Sequence, residues 1–299
     1  MNVIAVHGSV ETSSAPPYLA SLRQSALAGH SVFASGLVDA VERAIMSLED
    51  DPLFNAGYGS VLNLDGEVEM DASIMDGASG KCGAVAAIQE VKNPVCVARK
   101  VMEETNHVLL AGKGAAQFAR DKGFPPFNPV TIQQRASWEK VMDARERGET
   151  LELSAFTGLP KSCDTTGCVA VQNGCAAAAS STGGSFLKLP GRVGDTPVIG
   201  GGIYASPWGA AVCTGLGESF IKLQAAAWVL NLLAQGVHVN LAAKAAIMRL
   251  AAEGAVGGIL AIDPKGNVAA VHNANSFPVA LVRNGKVIGD FTPVRITGN

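Results

Sequence analysis

The sequence predicts an α+β protein in which two sheets form the middle of a layered sandwich and helices cover the outside. Three observations point there. Both halves of the chain carry strand-like segments that lead into helix pairs and then further strands. Only 5% of the residues are aromatic against 34 glycines, which favours closely approaching layers over a core filled by large rings. The alanine run Ala176 to Ala179 suits a strand on which a second sheet sits close.

Asn2 to Val6 begins the chain as a strand running through His7, followed by a Ser- and Pro-rich loop over Glu11 to Pro17. A helix is expected next, with Ser35 as N-cap and Leu37, Val38, Val41, Ala44, Ile45 and Leu48 on one face. Leu53 to Ser60 is a glycine-punctuated turn, and Val68, Met70, Ala72 and Ile74 alternate as in a strand buried on one side. Gly83 to Ile88 reads as a strand, Val95 to Met102 as a helix opened by Pro94, and His107 to Arg120 as a further helix. From residue 125 to 164 apolar residues thin out and charges cluster, as in a helix followed by a mobile linker. Beyond it come a hairpin over Asp164 to Gly184, a short strand at Ala210 to Val212, and helices over Glu218 to Gln235 and Leu241 to Glu253. Two closing hairpins turn at Asp263 to Gly266 and at Asn284-Gly285. One domain, 1–299, is expected to hold all of this.

With 48% hydrophobic residues the chain can bury a large core, and a net charge of −3 without basic runs argues against nucleic acid or an anionic membrane as partner. The N-terminus lacks a basic stretch leading into an apolar one, and no apolar run reaches the ~20 residues that cross a bilayer. A cytoplasmic location is expected. The six cysteines form no CxxC pair and have no histidine at zinc spacing, so they read as reduced thiols; Cys163, beside the hairpin mouth, is the exposed exception.

The hairpin carries the chemistry. Asn173-Gly174 is the preferred dipeptide for a two-residue type I′ turn, because both positions need positive φ. That turn pairs Gln172 with Cys175, and seven pairs further out Thr165 stands opposite Thr182. Pairs alternate outward from a hydrogen-bonded closing pair, so this one is non-hydrogen-bonded, with Cα atoms about 4.5 Å apart. A threonine hydroxyl needs a base to act as nucleophile, yet the histidines are dispersed and no GxSxG elbow occurs. One base is at hand: the α-amino group of Thr165 itself, released by a cut after Asp164, with a pKa of roughly 7.7–8. The plain alternative is two ordinary strand threonines.

Two further segments bear on that choice. Arg192 and Asp195 place a cation and an anion three residues apart in a glycine-rich loop, fit to read the carboxylate and ammonium of an amino acid, or simply to form a salt bridge. Cys213 to Glu218, with Thr214, Gly215 and Gly217, follows a strand and opens a helix, a junction whose N–H groups can hold an oxyanion.

PLFNAGYGSVLNLDGEVEMDASIMDG, DTTGCVAV, SSTGGSFLKLPGRVGDTPVIGGGIYA and CTGLGE, in this order and spacing, resemble the plant-type asparaginase or isoaspartyl peptidase superfamily, which are threonine N-terminal nucleophile hydrolases. The resemblance implies the four-layer αββα fold of that class. It implies a cut between Asp164 and Thr165 that yields an α-subunit of residues 1–164 and a β-subunit of residues 165–299. Thr165 would then be the nucleophile, Thr182 its tuner and Asn55 its support. Thr214 and Gly215 would form the oxyanion hole, and Arg192, Asp195 and Gly217 would bind substrate. Catalysis would need no cofactor, although a structural Na⁺ or K⁺ held by carbonyls of Leu48, Glu49, Asp51, Phe54, Ala56 and Tyr58 is expected. The implied activity is hydrolysis of the side-chain amide of asparagine and of β-aspartyl dipeptides by a homodimer of processed protomers.

The sequence departs from the family pattern at four places. Asp164 stands where many such asparaginases have glycine, His7-Gly8-Ser9-Val10 where a His-Gly-Gly loop is usual, Leu216 where a polar residue is usual, and Thr166 where an apolar one is. Glycosylasparaginase and threonine aspartase share the aspartate and stand as alternatives. A slowly processed pseudoenzyme acting as a binding protein is the alternative that Ser9-Val10 suggests.

Overall fold

The computed structural model describes residues 1–10, 12–148 and 165–297. Asp164, Cys163 and the last part of the expected linker lie outside the described residues. The secondary structure is mixed α/β. In chain order the elements are β1 (Asn2–His7), α1 (Pro16–Ser31), α2 (Leu37–Glu49), β2 (Met70–Asp76), β3 (Cys82–Ile88), α3 (Pro94–Glu104), β4 (Leu109–Ala111), α4 (Gly112–Asp121) and α5 (Ile132–Glu146). They continue as β5 (Thr165–Gln172), β6 (Cys175–Thr182), β7 (Ile203–Ser206), β8 (Gly209–Gly215), α6 (Gly217–Leu223), α7 (Ala225–Ala234) and α8 (Val239–Ala252). The last strands are β9 (Gly257–Ile262), β10 (Val268–His272), β11 (Val279–Arg283), β12 (Lys286–Val287) and β13 (Val294–Arg295).

The strands form two sheets, one ordered β12-β11-β1-β5-β6-β2-β3-β4 and one ordered β13-β10-β9-β8-β7. Strand alternation divides the core. In β1, Val3 and Ala5 join an apolar cluster with Val212, Leu260 and Ile262 of the smaller sheet, while Ile4 and Val6 face a cluster with residues of α1, α2, α3 and α4. A third cluster joins Ala211 and Cys213 of β8 to α7 and α8. Sheet residues therefore lie between apolar surfaces on both sides.

Several elements differ from the sequence reading. Helix α1 was not expected, and its buried face explains why: Leu22, Ser25, Ala26 and Gly29 form a helical stripe with a single large apolar side chain. Helix α2 begins after Gly36 rather than Ser35. β2 is buried on both faces, with Asp71 and Ser73 as inaccessible as their apolar neighbours. The segment expected as one helix from His107 begins instead as β4, an edge strand parallel to β3, with α4 starting at Gly112. The helix expected over Glu218 to Gln235 breaks at Gln224, which is left-handed. The amides of Ala226 and Ala227 then bond to the carbonyls of Gly201 and Gly200. α5 is present within the charged stretch before the linker.

The hairpin that positions the site forms as counted. Asn173 and Gly174 have φ of 52° and 83°, as a type I′ turn requires. Gln172 pairs with Cys175 and Thr165 with Thr182. β5 and β6 lie at the centre of the larger sheet, with β1 on one side and β2 on the other.

Candidate active site

Thr165 and Thr182 open into a narrow cleft also lined by Gly184, Ser185, Arg192, Gly194, Asp195, Thr196 and Gly215. The structure thus brings together the paired threonines, both charged residues of the glycine-rich loop and one residue of the β8–α6 junction. Thr214, Asn55 and Gly217 stand behind this lining.

Thr182 is held from the backbone side: its Oγ1 accepts the Gly184 N–H at 3.0 Å. Asn55 braces the turn that follows Thr182. Its Nδ2 donates to Gly184 O at 2.7 Å, its Oδ1 accepts the Val61 N–H at 2.9 Å, and its carbonyl accepts the Gly183 N–H. The loop carrying Arg192 and Asp195 rests on β2. Asp71, which pairs with Thr182 in register, accepts the Gly194 N–H at 3.2 Å through Oδ2 and the Ala87 N–H at 2.8 Å through Oδ1. Glu69 accepts the Gly191 N–H, and the buried Lys188 donates to the Glu69 carbonyl at 2.7 Å. Asp71, Glu69 and Lys188 escaped the sequence reading because each reads locally as an ordinary charged residue near a turn. Only the packing of this loop onto β2 gives them a role.

Arg192 and Asp195 do not pair with each other. Arg192 donates from Nε and Nη2 to the two carboxylate oxygens of Glu218, at 2.9 and 3.0 Å, a bidentate bridge that leaves Nη1 for another anion. Glu218 was not foreseen as its partner, and Arg192 holds that carboxyl below the usual carboxylate range. Asp195 is buried, and burial pushes its carboxyl up to about 7 against a backbone hydrogen bond and the nearby Arg192 charge. Its Oδ2 has no hydrogen-bond partner among the described residues. A buried carboxylate without a partner is costly, and an ammonium group would relieve that cost. A Cβ on Gly217 would stand 2.8 Å from Asp195 Oδ1 and 3.2 Å from Arg192 Nη2, so only glycine lets α6 begin this close to both.

No histidine is among the residues that line the cleft. His7 is opposite Gly167, and a Cβ there would lie 2.2 Å from His7 Nε2. Burial lowers its imidazole to about 3, against a weak pull upward from the Thr165 backbone, so the ring is neutral.

Thr214 is fully buried, and its Oγ1 lies 2.9 Å from the hydroxyl of Ser9. This contact joins residues 205 positions apart and no local motif announces it.

In the loop expected to bind a cation, the carbonyls of Leu48, Glu49 and Asp51 accept the N–H groups of Asp51, Tyr58 and Phe54. The Leu48 carbonyl also accepts the Asp50 N–H. Among the described residues no cluster of His, Cys, Asp or Glu could hold a metal ion. No helix among them is long and apolar enough to cross a membrane.

A central hairpin presents a threonine pair to a carboxylate and a guanidinium, and the comparisons define the class of protein that carries this site, a hydrolase. Residues 1–290 match the family model described as Asparaginase. Plant-type L-asparaginase of Pyrococcus abyssi is 44% identical over 297 residues, which span 95% of this chain and 97% of the relative. Isoaspartyl peptidase/L-asparaginase of Rattus norvegicus is 41% identical over 294 residues, 95% of this chain and 87% of the relative. The protein of the same name from Homo sapiens is 42% identical over 272 residues, 88% and 86% of the two chains. The chain belongs to the asparaginase family.

Proposed function

We propose that the protein is an autoprocessing amidohydrolase that cleaves the side-chain amide of L-asparagine and the β-aspartyl bond of isoaspartyl dipeptides, releasing L-aspartate. The observation that carries this reading is one cleft lined by Thr165, Thr182, Arg192 and Asp195. It holds a nucleophile and a reader for both backbone charges of an aspartyl group. The names of the relatives, L-asparaginase and isoaspartyl peptidase, agree with it.

A cut between Asp164 and Thr165 frees the Thr165 amine. That amine takes the Oγ proton as Oγ attacks the substrate β-carbonyl carbon, and the new C–O bond gives a tetrahedral oxyanion held at the Thr214–Gly215 junction. Collapse breaks the C–N bond, and the amine returns the proton to the departing nitrogen. Water then attacks the aspartyl ester, gives a proton to the amine, and releases aspartate as Thr165 Oγ recovers it. Thr182, oriented by the Gly184 N–H, donates toward Thr165 Oγ and lowers its basicity. Arg192 Nη1 binds the substrate α-carboxylate and Asp195 its α-ammonium.

The wider reading goes with this. The three core clusters support a four-layer αββα sandwich. Residues 1–164 and 165–299 form the α and β subunits of one processed protomer, and two such protomers form a homodimer in the cytoplasm. A Na⁺ or K⁺ at the Leu48–Tyr58 loop would stiffen that loop and take no part in the chemistry. Intact-mass measurement tests the core of the proposal: fragments of 164 and 135 residues and ammonia release from asparagine are expected. A single species that persists on long incubation, without ammonia, overturns it.

A further inference from the structure

Beneath the loop that carries Arg192 lies a buried cation that the chemistry above does not use. Lys188 is 6% exposed and is absent from the cleft lining. Its one hydrogen bond among the described residues runs to a carbonyl, Glu69 O, at 2.7 Å. A buried ammonium without a carboxylate in contact is costly unless a charge nearby balances it. Asp71 has the complementary problem. It is fully buried, and its two oxygens take the N–H groups of Ala87 and Gly194 rather than a cation. Both charges flank one turn: a Cβ on Gly184 would be 2.7 Å from Lys188 Nζ, and Asp71 is the β2 partner of Thr182.

Each charge sustains the other. Burial pushes the Asp71 carboxyl up, and the Lys188 charge is the strongest pull down. Burial pushes the Lys188 ammonium down, and the Asp71 charge is the strongest pull up, ahead of Glu69. Arg192 belongs to the same field: Asp71 attracts its guanidinium and Lys188 repels it. That guanidinium is already shared with Glu218 through two hydrogen bonds. Without Lys188, Asp71 would be a second carboxylate drawing on Arg192, and less of its charge would be left for an incoming anion.

We propose that Lys188 is a positioning residue that acts through its charge: as the buried counter-charge of Asp71, it keeps Arg192 available to the α-carboxylate of the substrate. The inference rests on the hydrolase reading above and deepens it, adding a hidden third charge to the two that read the aspartyl group. Gly184 is held by Thr182 and Asn55 without help from Lys188, so the charge should bear on binding rather than on turnover. Removing it also leaves Asp71 unbalanced beside Asp195. The other groups that face Asp195 are Arg192 on its own loop, Glu218 of α6 and the buried, neutral Cys213 thiol of β8. An unbalanced negative charge makes a neighbouring carboxyl harder to ionise.

The test compares Lys188→Met and Lys188→Gln with the parent, following hydrolysis of asparagine by processed enzyme across the pH range. Both variants remove the charge and keep an unbranched side chain, so one serves if the other folds poorly. Both are expected to process to the fragments of 164 and 135 residues by intact mass. KM for asparagine should rise about ten-fold while kcat stays within about three-fold. Inhibition by the product L-aspartate should weaken by the same factor as KM. The climb of kcat/KM through about 7 in the parent should move up by about one pH unit. A merely structural defect would lower the whole profile without moving it. An unmoved profile therefore overturns the proposal whatever happens to KM, and so does an unchanged KM. Failure of both variants to process overturns it as well, because Lys188 would then serve folding or maturation. Loss of hydrolysis by processed, unsubstituted enzyme would instead overturn the hydrolase reading.

Discussion

The two halves of the β5–β6 hairpin are chemically opposite. Toward the turn, Val169, Val171, Ala176 and Ala178 pack against Val212 and Leu260, and the strands are held by apolar contact. At the mouth stand Thr165, Thr166, Ser180, Ser181 and Thr182, each at most 6% exposed. In the cleft at that end, Asp195 Oδ2 has no hydrogen-bond partner among the described residues. Unpartnered buried polar atoms each cost about 1–3 kcal/mol. The comparison teaches that stability is concentrated at the turn end and spent at the mouth. A fold seldom leaves a buried carboxylate oxygen unsatisfied except where a ligand will satisfy it.

The largest effect should come from removing the hydroxyl at the mouth. Thr165→Ala is expected to abolish processing by intact mass and to lower asparagine hydrolysis by at least about a thousand-fold. Its melting temperature should hardly move, because the site contributes little to stability. Processing that survives the substitution would place the nucleophile elsewhere.

Asp195 separates function from stability most sharply. Its folded pKa of about 7 lies above the ordinary aspartate value. The stability tied to it is therefore fully present below pH ~3.8 and is lost as pH rises through about 7. Asp195→Asn should accordingly gain in melting temperature over the parent between pH 4 and 7, and hold that gain above pH 7. Loss of the ammonium partner should raise KM for asparagine about a hundred-fold. In the parent, kcat/KM should climb with pH through about 7 as Asp195 ionises in the free enzyme. The same profile in the asparagine variant should be shallower. An identical profile would remove Asp195 from substrate binding.

Legibility in the sequence follows the same division. The hairpin register could be counted because it is local: a dipeptide sets the turn, and two-residue periodicity carries Thr165 to Thr182. The helices with large apolar stripes were visible, whereas α1 buries one leucine among serine, alanine and glycine and was not. Arg192 and Asp195 stood out as opposite charges in a glycine-rich loop. What holds them did not, because Asp71 meets Gly194 across 123 positions and Glu218 meets Arg192 across 26. Ser9 was noticed only as a departure from a pattern. Its contact with Thr214 depends on how the two sheets are stacked, which no spacing along the chain encodes.

The mouth tolerates no added bulk beneath the threonines. Gly167→Ala would place a methyl 2.2 Å from His7 Nε2 and 2.8 Å from Val212 Cγ2. Both neighbours are fully buried, so neither can swing out to solvent. A loss of about 1–3 kcal/mol is expected by denaturant titration, accompanied by slower processing as Thr165, two residues away, shifts. A neutral result would show that the inter-sheet space has slack.

The smallest effects compare backbone strain at the two ends. Asn173, at the turn, has φ of 52°, which asparagine tolerates and alanine does not; Asn173→Ala should cost about 1 kcal/mol and leave kcat unchanged. Ser9, at the mouth, has φ of 102° with no such tolerance. Ser9→Ala and Ser9→Gly remove the same hydroxyl, so their difference in unfolding free energy isolates the backbone term. Glycine should be the more stable by about 1 kcal/mol, net of its greater entropy when unfolded. Strain at the turn serves the hairpin, and relieving it should not touch chemistry. Strain at Ser9 is held by the Gly8 bond to Pro278 and the seat of Val10 on Gly258, so relieving it should change stability. Equal stability of the two Ser9 variants would mean that the loop relaxes once the contact is gone, and that Thr214, rather than Gly8 and Val10, holds Ser9 in its strained conformation.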